Sequence, residues 1–305
     1  MNVITLVVTY KRPLLLQKVL ESINEQTILP NKLIIVDNGS GDETASLVRI
    51  FKQQSSLNII YIDTCENLGG AGGFQFGFDY IKNNNLDYDY LWLMDDDLCP
   101  SSNCLEQLIN IGNSYEDVGI IQPTRFDLDG GCAEISPVIY DLKNPFVINP
   151  KRKIVSDIYD ANQHNEILDL AGIPFEGPLI KRKVVDSIGS PVADFFIFYD
   201  DLDYAIRARE KNFRVVLSIQ TKALRLLKNN QSTDLMSWKG YFMIRNFLHL
   251  HIKHGENLFV KMKVFAYFIG FVFKFILERK YGKLSMLLHA FKDAYKLSNS
   301  SNHRP

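Results

Sequence analysis

The sequence predicts an α/β protein with a doubly wound, mostly parallel sheet, followed by a C-terminal helical extension. Apolar, β-branched runs of strand length alternate with helix-like stretches over the first hundred residues, which is the pattern of strand–helix–strand units. Four unusual loops, "TYKRP", "DNGSGD", "NLGGAGG" and "DDD", each follow a predicted strand. Because ligands bind beyond the carboxyl ends of parallel strands, these loops mark the predicted site.

The predicted elements follow one another in a regular order. "NVITLVVTY" is a buried strand, and Pro13 begins a helix. The apolar positions of that helix share one face: Leu15, Val19, Leu20 and Ile23. "KLIIVD", "LNIIYID" and "YDYLWLM" are the next three strands, with helices from about Asp42 and over "GGFQFGFDYIKN" between them. "DFFIFYDDLDYAIRAREKNFRVV" predicts a short strand, an acidic turn, a helix and another strand. Residues 120–190 are less regular.

Composition narrows the class of function. The 305 residues carry a formal net charge of −1, and a near-neutral total argues against wholesale nucleic-acid binding. The four cysteines form no CxxC pair and have no histidine at zinc-finger spacing, so we expect reduced thiols in a cytosolic protein. No basic segment precedes the first apolar run, and a secretory signal is therefore not expected.

The sequence divides into residues 1–230 and a C-terminal region, residues 231–305, of different character. Between residues 253 and 296 nine Lys or Arg stand against three Asp or Glu, among many aromatic side chains. The apolar stretch 264–273 is too short to span a bilayer. We expect a basic, aromatic helix on the surface of an anionic membrane. The alternative is a helix packed on the rest of the protein with a solvated basic edge.

Three consecutive carboxylates end the fourth predicted strand. Alternate side chains of an extended chain share a face, so Asp95 and Asp97 can converge while Asp96 points elsewhere. Two convergent carboxylates suit Mg²⁺ or Mn²⁺. The alternative, a solvated acidic turn, is weakened because "YLWLM" places the triplet at the edge of the sheet.

A second acidic group lies in "FYDDLDYAIRARE". Asp200 and Asp203 could cap the helix that follows and complement its dipole. A carboxylate beside Phe198 and Tyr199 could instead act as a general base. One acidic site for a metal and one for proton abstraction indicate transfer of a group from a nucleotide-linked donor.

The remaining loops suit a nucleotide. Thr9, Arg12 and Asp37 at the ends of the first two strands fit a pyrimidine nucleoside, although Asp-Asn-Gly-Ser is also an ordinary turn sequence. The glycine cluster is neither a Walker motif nor a dinucleotide fingerprint, since the third glycine position of the latter is Gln75. Bare backbone facing the acidic strand would let a diphosphate-sugar approach closely.

The motifs in order, "VVTYKRP", "IIVDNGSGD", "ENLGGAGGF", "WLMDDDL" and "FYDDLDYAIRAR", resemble the family 2 glycosyltransferases over residues 1–225. That family has the GT-A fold, with a Rossmann-like, mostly parallel sheet. "NLGGAGGF" with the triple Asp is most similar to the galactofuranosyltransferase branch, with rhamnosyltransferases as near relatives.

The resemblance implies an inverting sugar transfer from a nucleotide-sugar. It implies that Asp95 and Asp97 bind Mn²⁺ or Mg²⁺ and that Asp201 deprotonates the acceptor hydroxyl. The donor site would comprise Thr9, Arg12, Asp37, Asn67, Gly70 and Asp96. The implied reaction moves galactofuranose from UDP-galactofuranose to a lipid-linked glycan in O-antigen or capsule synthesis, at the cytoplasmic face of the cell membrane.

The sequence departs from the family in one respect. A metal-binding His often follows the next strand, but residues 211–230 contain none. Either the aspartates and phosphates hold the metal alone, or Lys228 or Asn229 replaces the ligand. The next histidines, His249, His251 and His254, are expected in the core or on the surface. Two other classes stay open: a nucleotidyltransferase, which normally has a glycine-rich loop after its first strand, and a non-catalytic, glycan-binding scaffold.

Overall fold

A computed structural model describes residues 1–227, 234–299 and 303 of the chain. Its strands are β1 (Val3–Thr9), β2 (Lys32–Asp37), β3 (Ile59–Asp63), β4 (Tyr90–Asp95), β5 (Leu98–Pro100), β6 (Val118–Phe126), β7 (Pro137–Tyr140), β8 (Lys151–Ile154), β9 (Ile167–Asp169), β10 (Leu179–Lys181) and β11 (Arg214–Arg225). Its helices are α1 (Pro13–Asn24), α2 (Asp42–Gln54), α3 (Gly69–Asn83), α4 (Cys104–Ser114), α5 (Tyr159–Asn162), α6 (Arg182–Ile188), α7 (Asp200–Glu210), α8 (Lys239–His254), α9 (Leu258–Leu277) and α10 (Lys283–Ala294).

The central sheet is mixed but mostly parallel at its N-terminal half. Its order is β3-β2-β1-β4-β10-β6-β11-β5, and β9 pairs with β11. The first four strands run parallel, whereas β10 runs antiparallel to both of its neighbours. The sheet is buried on both faces: Val7 packs into one apolar cluster, while Leu6 and Val8 pack into the other. The predicted doubly wound, mostly parallel sheet is therefore confirmed.

The predicted elements of the first hundred residues are present, with two shifts. Helix α1 begins at Pro13 as predicted, but it buries Leu16, whereas Leu15 is only partly buried. Helix α3 begins at Gly69, three residues before the predicted start, so most of the glycine cluster is helical.

The predicted strand before the second acidic group is wrong. Residues 193–195 form a 3-10 turn, and Phe196, Phe198 and Tyr199 have φ values of +64°, +68° and +69°. A strand requires negative φ, so these residues cannot extend a sheet. Asp200 and Asp201 consequently begin helix α7 and do not end a strand.

The C-terminal helices form a layer with its own apolar cluster. Helices α9 and α10 pack on α8 and on each other, burying Phe242, Leu248, Phe275 and Leu287. Phe196 belongs to the same cluster, so the helical layer packs against the segment that precedes α7. No helix among the described residues is long and apolar enough to cross a bilayer.

Candidate active site

The sheet register brings the predicted donor residues to one edge. In the parallel pairing, Thr9 lies opposite Asp37, and Val8 lies opposite Asp95. The ends of β1, β2 and β4 are thus level, and the segments that follow them leave the sheet on the same side. This placement follows from the local sequence alone, because each polar residue ends or follows a buried strand.

Thr9, Arg12 and Asp96 form one hydrogen-bonded cluster. Thr9 Oγ1 donates to Asp96 Oδ2 at 2.8 Å, and the Tyr10 amide donates to the same oxygen at 3.3 Å. Arg12 Nη1 lies 3.1 Å from Asp96 Oδ1 and 3.4 Å from Asp97 Oδ2. Asp96 therefore points toward β1, away from the direction expected for metal binding, and fixes the Arg12 guanidinium over the acidic triplet.

Asp37 lies beside this cluster but is fully buried. Its Oδ1 accepts a hydrogen bond from the Ser40 amide at 2.8 Å, and its Oδ2 accepts one from the Tyr61 hydroxyl at 2.6 Å. Ser40 Oγ in turn accepts from the Lys11 amide at 2.7 Å. In this arrangement Asp37 shapes the turn after β2 and ties it to the loop after β1.

Asp95 and Asp97 carry negative charge that the protein only partly compensates. Burial, followed by the charges of Asp97 and Glu176, raises the pKa of Asp95 well above its usual value. Burial and the charge of Glu176 raise the pKa of Asp97 to about 6, against the opposing charges of Arg12 and Arg225. Among the described residues, the Asp95 carboxylate has no hydrogen-bond or ion-pair partner.

The glycine cluster serves packing at most of its positions. A Cβ on Gly69 would lie 2.1 Å from the Phe196 carbonyl oxygen, and Gly69 has a φ of +71°. A Cβ on Gly73 would lie 2.6 Å from Val8 Cγ1. Gly70, in contrast, has no atom within 4 Å of such a Cβ, so the backbone faces open space there. Asn67 Oδ1 accepts from the Gly69 amide at 2.9 Å and fixes the turn into α3.

Asp201 lines a pocket of about 440 Å³ whose wall includes Glu176, the carboxylate that also raises the pKa of Asp97. Its Oδ1 accepts a hydrogen bond from the Leu202 amide at 2.7 Å. Burial raises the pKa of Asp201 to about 6, helped by the charge of Glu176 and opposed by Arg125 and Lys151. Burial and the neighbouring Asp201 raise the pKa of Asp200 as well.

The other walls of this pocket carry charged, aliphatic, aromatic and hydroxyl-bearing side chains. The aromatic or hydroxyl-bearing ones are Ser136, Tyr140, Phe198, Tyr199 and Phe247. The Tyr140 hydroxyl oxygen is buried and has no hydrogen-bond partner within the described part of the chain, whereas Ser136 lies against Glu134. Since buried hydroxyls are normally paired, the Tyr140 hydroxyl is a candidate contact for a ligand.

A buried ion network behind the pocket could not be read from the sequence. Arg125 pairs with Glu134 through Nε at 2.9 Å and Nη2 at 2.7 Å, and its Nη1 contacts Glu176. Arg225 Nε lies 2.9 Å from the same Glu176 carboxylate. Arg125 and Arg225 lie on β6 and β11, and Glu134 and Glu176 lie in irregular segments between those strands. No regular spacing in the sequence indicates that these four residues meet.

The remaining acids and histidines have structural partners. Although burial opposes it, a hydrogen bond from His254 and the charge of Lys253 hold the pKa of Asp203 below its usual range. His249 and His251 each hydrogen-bond a backbone carbonyl through Nδ1. Asp203 therefore fastens α7 to α8. It does not cap α7, which has no side-chain cap hydrogen bond.

No third protein ligand for a metal is evident. Residues 1–227, 234–299 and 303 contain no group of three or more His, Cys, Asp or Glu that could hold a metal ion. Lys228 and Asn229, the proposed replacements for the absent histidine, lie outside the described residues.

The chain matches the model of glycosyl transferase family 2 over residues 5–158, and it belongs to that family. Galactofuranosyltransferase GlfT1 of Mycobacterium tuberculosis is 29% identical over 210 residues, which cover 66% of this chain and 62% of GlfT1. The chain thus spans just under two thirds of that relative's length. The O-antigen chain rhamnosyltransferase RfbN of Salmonella typhimurium is 33% identical over 110 residues, covering 36% of this chain and 32% of RfbN.

Solved structures share the fold at low identity. The mannosyltransferase PcManGT from Pyrobaculum calidifontis, in complex with GDP-Man and Mn²⁺, has a TM-score of 0.60 at 15% identity, covering 99% of this chain and 77% of that one. TarS from S. aureus, in complex with UDP-GlcNAc, has a TM-score of 0.60 at 13% identity, covering 96% and 81%. The fold is therefore the GT-A-like fold of glycosyltransferase structures.

Proposed function

We propose that this protein is an inverting glycosyltransferase. The observation that carries the proposal is that two acidic groups lie on either side of Glu176, whose charge acts on both: Asp95 to Asp97, beneath Arg12, and Asp201, which lines a separate pocket. The first group suits a nucleotide diphosphate and the second suits an acceptor hydroxyl. The acceptor, donor sugar and cofactor named below are parts of the same proposal.

A divalent cation fits the donor side. Asp95 offers an unpartnered carboxylate within the described residues, and Asp97 lies beside it. Hard carboxylate oxygens suit Mg²⁺ or Mn²⁺, which keep their other positions for phosphate oxygens and water. Such an ion supplies neutralisation of the charge on the departing diphosphate. Arg12 adds a fixed positive charge at the same place, and the exposed backbone at Gly70 leaves room for the diphosphate.

Asp201 acts as the general base. A carboxyl with a pKa of about 6 is mostly ionised at neutral pH but is a stronger base than an exposed aspartate. The acceptor hydroxyl gives its proton to Asp201 and attacks the anomeric carbon of the donor from the face opposite the diphosphate, which inverts that carbon. Tyr140 is placed to hydrogen-bond another hydroxyl of an acceptor sugar, and the aromatic side chains of the pocket suit its ring.

The best match for the donor is UDP-galactofuranose, because GlfT1 is similar over two thirds of this chain. A rhamnosyl donor, dTDP-rhamnose, is the second candidate and is favoured by the similarity to RfbN. In either case the acceptor is a glycan, proposed to be lipid-linked, in cell-surface polysaccharide synthesis.

The test is calorimetric titration with UDP, dTDP and a panel of nucleotide-sugars, with and without Mn²⁺. Wild type is compared with Asp97→Asn and with Asp87→Asn, which makes the same change in an exposed aspartate at the opposite end of β4. We expect Mn²⁺-dependent UDP binding that Asp97→Asn abolishes and Asp87→Asn preserves. The sugar that binds most tightly names the donor.

Other outcomes discriminate between the alternatives. Binding that depends on neither Mn²⁺ nor Asp97 would contradict the metal assignment. Selective binding of dTDP would favour the rhamnosyl donor. A protein that binds a glycan but neither binds nor slowly hydrolyses any nucleotide-sugar would be a scaffold, and the enzymatic proposal would fail.

We also propose that helix α9 rests on the cytoplasmic face of an anionic membrane. Six apolar residues spaced three or four apart share its exposed outer face: Leu258, Met262, Phe265, Ile269, Phe273 and Ile276. Exposed Lys261 and Lys274 flank this face on either side. Phe146 and Ile148, 90% and 83% exposed, lie beside a different side of α9, where Tyr267 donates to the Ile148 carbonyl at 2.8 Å. An apolar face edged by cations fits a lipid surface with anionic headgroups.

Removing everything after about residue 255 would test this poorly, because it would also expose the core formed by Phe275 and Leu287. A triple substitution, Phe265→Ser, Ile269→Ser and Phe273→Ser, removes only exposed groups. The matched control converts exposed apolar residues elsewhere: Leu14, Ile50 and Leu128. We expect wild type and the control to co-sediment with phosphatidylglycerol vesicles and the triple variant to stay in the supernatant. Equal sedimentation of all three would contradict the membrane role.

A further inference from the structure

The loop formed by residues 194–199 has an unusual conformation and an unusual position. Three of its members, Phe196, Phe198 and Tyr199, have positive φ although each is bulky. Such conformations persist only where the surroundings impose them, and they concentrate at functional sites. Asp201 follows two residues later at the start of α7, so the path of this loop sets the position of its carboxylate.

Two consecutive side chains of α8 hold the loop. Asn246 Nδ2 lies 3.0, 2.8 and 2.9 Å from the carbonyl oxygens of Phe195, Ile197 and Phe198. Arg245 Nη2 donates to the carbonyls of Asp194 and Phe195 at 2.6 and 3.0 Å. Arg245 Nε also donates to Asn246 Oδ1 at 2.8 Å, which fixes the orientation of the amide. Four carbonyl oxygens of the loop thus accept hydrogen bonds from Arg245 or Asn246.

Burying the polar side chains of Arg245 and Asn246 costs folding free energy, which indicates a role beyond packing. Arg245 and Asn246 are both fully buried. Within the described part of the chain the Arg245 guanidinium makes no ion pair with a carboxylate, and its hydrogen bonds go to carbonyl and amide oxygens. A buried charge without a directly paired counter-ion is expensive. The charge of Arg245 is offset only by the more distant Asp194 and Asp293 and by the ring faces of Tyr241 and Phe242. Helix packing alone would be served by apolar residues, as elsewhere on α8.

The same loop also touches the donor side of the site. The Phe196 carbonyl accepts a hydrogen bond from the Ala71 amide at 3.2 Å, and Gly69 lacks a side chain where that carbonyl passes. At its other end, the Tyr199 carbonyl accepts from the Asp203 amide at 2.8 Å in the first turn of α7. The loop is therefore fixed at α3, α7 and α8 together.

We propose that Arg245 and Asn246 are positioning residues for the transfer reaction: they hold residues 194–199 in the conformation that presents Asp201 to the acceptor pocket. This inference rests on the proposed function. It also assigns the C-terminal helices a part in catalysis, in addition to any part in membrane binding. Neither residue lines the pocket, so both act through the loop.

The test compares Asn246→Leu, which keeps the size but loses the donor group, with Leu248→Ala, which opens a cavity in the same helix without touching a loop carbonyl. Arg245→Lys keeps the charge but loses the forked donor geometry. For each variant we measure kcat, KM for both substrates, the UDP dissociation constant, the melting temperature and hydrogen exchange of residues 194–201.

We expect Asn246→Leu to lower kcat about a hundredfold, the size of effect that a small misplacement of a reacting group produces. UDP affinity should stay near the wild-type value, and exchange in residues 194–201 should accelerate. Leu248→Ala should lose as much or more thermal stability yet keep kcat within a few-fold below its melting temperature. Arg245→Lys should lower kcat by less than Asn246→Leu does but by more than Leu248→Ala does.

A folded Asn246→Leu protein with near wild-type kcat, or a loss of kcat that merely follows melting temperature in both variants, would overturn the proposal. If wild type neither transfers nor hydrolyses any donor, the proposed function fails instead. In that case hydrogen exchange still tests whether Asn246 holds the loop. Accelerated exchange of residues 194–201 in Asn246→Leu but not in Leu248→Ala supports that role, and unchanged exchange refutes it.

Discussion

The two acidic groups of the site are held in opposite ways. On the donor side, Asp96 and Asp97 stand at the end of a regular parallel strand and pair directly with Arg12. On the acceptor side, Asp201 follows a strained loop, and its positive neighbours Arg125 and Lys151 influence it without forming an ion pair with it. The two groups therefore differ in whether a cation contacts them and not in pKa, since burial raises the pKa of Asp97 and of Asp201 alike to about 6.

This difference teaches how one fold assigns two roles to the same residue type. A carboxylate that contacts a guanidinium has its oxygens directed by that cation and can help to order a charged ligand beside it. A buried carboxylate that contacts no cation keeps an oxygen free to accept a proton, and a raised pKa makes it a stronger base. The predictions below test that division of roles, beginning with the largest expected effect.

Asp201→Asn should lower the rate of transfer without changing the affinity for the donor nucleotide. The amide cannot accept the acceptor's proton, so kcat should fall by about 10² to 10⁴, the usual contribution of a general base. The donor side is untouched, so UDP affinity should be unchanged. Steady-state kinetics and calorimetry measure the two quantities. Asp160→Asn, the same change at an exposed aspartate, is the control; a loss of UDP affinity in Asp201→Asn would break the comparison.

Glu134→Gln should show that the acceptor side depends on buried charge. Glu134 and Arg125 are both fully buried and paired through two hydrogen bonds. Removing one partner of such a pair costs about 3–5 kcal/mol of unfolding free energy, measurable by urea denaturation.

The matched control for Glu134→Gln is Asp169→Asn, which breaks the exposed pair with Arg214. That pair should contribute less than about 1 kcal/mol because water screens it. Equal losses in the two variants would mean that the network behind the acceptor pocket is as dispensable as a surface ion pair.

Sequence reasoning succeeded where position is set locally. Strands β1 to β4 are predicted from short apolar runs, and the structure confirms them. Thr9, Arg12 and Asp96 come together because each lies at or just after the end of one of two paired parallel strands. Predicting that result requires only the pairing of β1 with β4, and no individual side-chain contact has to be predicted.

Sequence reasoning failed where position is set by distant partners. Residues such as Phe198 and Tyr199 favour strands in general, and the predicted strand there is wrong because Asn246, almost fifty residues later, bonds the carbonyls of the segment. The pairing of Arg125 with Glu176 likewise joins segments that no periodicity connects. Apolar patterns report burial, and they do not report which carbonyl a buried amide will meet.

Arg12→Gln should weaken the donor side selectively. It removes the cation beside Asp96 and Asp97, and a charge-assisted hydrogen bond from that cation to a bound diphosphate oxygen is worth about 1.5–3 kcal/mol. UDP affinity should therefore fall at least about tenfold, with recovery at high Mn²⁺. Lys18→Gln, at an exposed lysine on the adjacent helix, is the control. A lower kcat at saturating donor with unchanged affinity would contradict the assigned role.

The smallest expected effect is a shift in pH dependence. Asp201 must be ionised to act, and burial raises its pKa to about 6, so kcat/KM should fall about tenfold per pH unit below that value. The positive charge of Lys151 lowers the pKa of Asp201 against the effect of burial. Lys151→Met should therefore move the acidic limb to higher pH, while Lys151→Arg should leave it in place. If the acidic limb of the pH profile persists in Asp201→Asn, it reports the titration of another group, and Asp201 is not the residue that takes the proton of the acceptor hydroxyl.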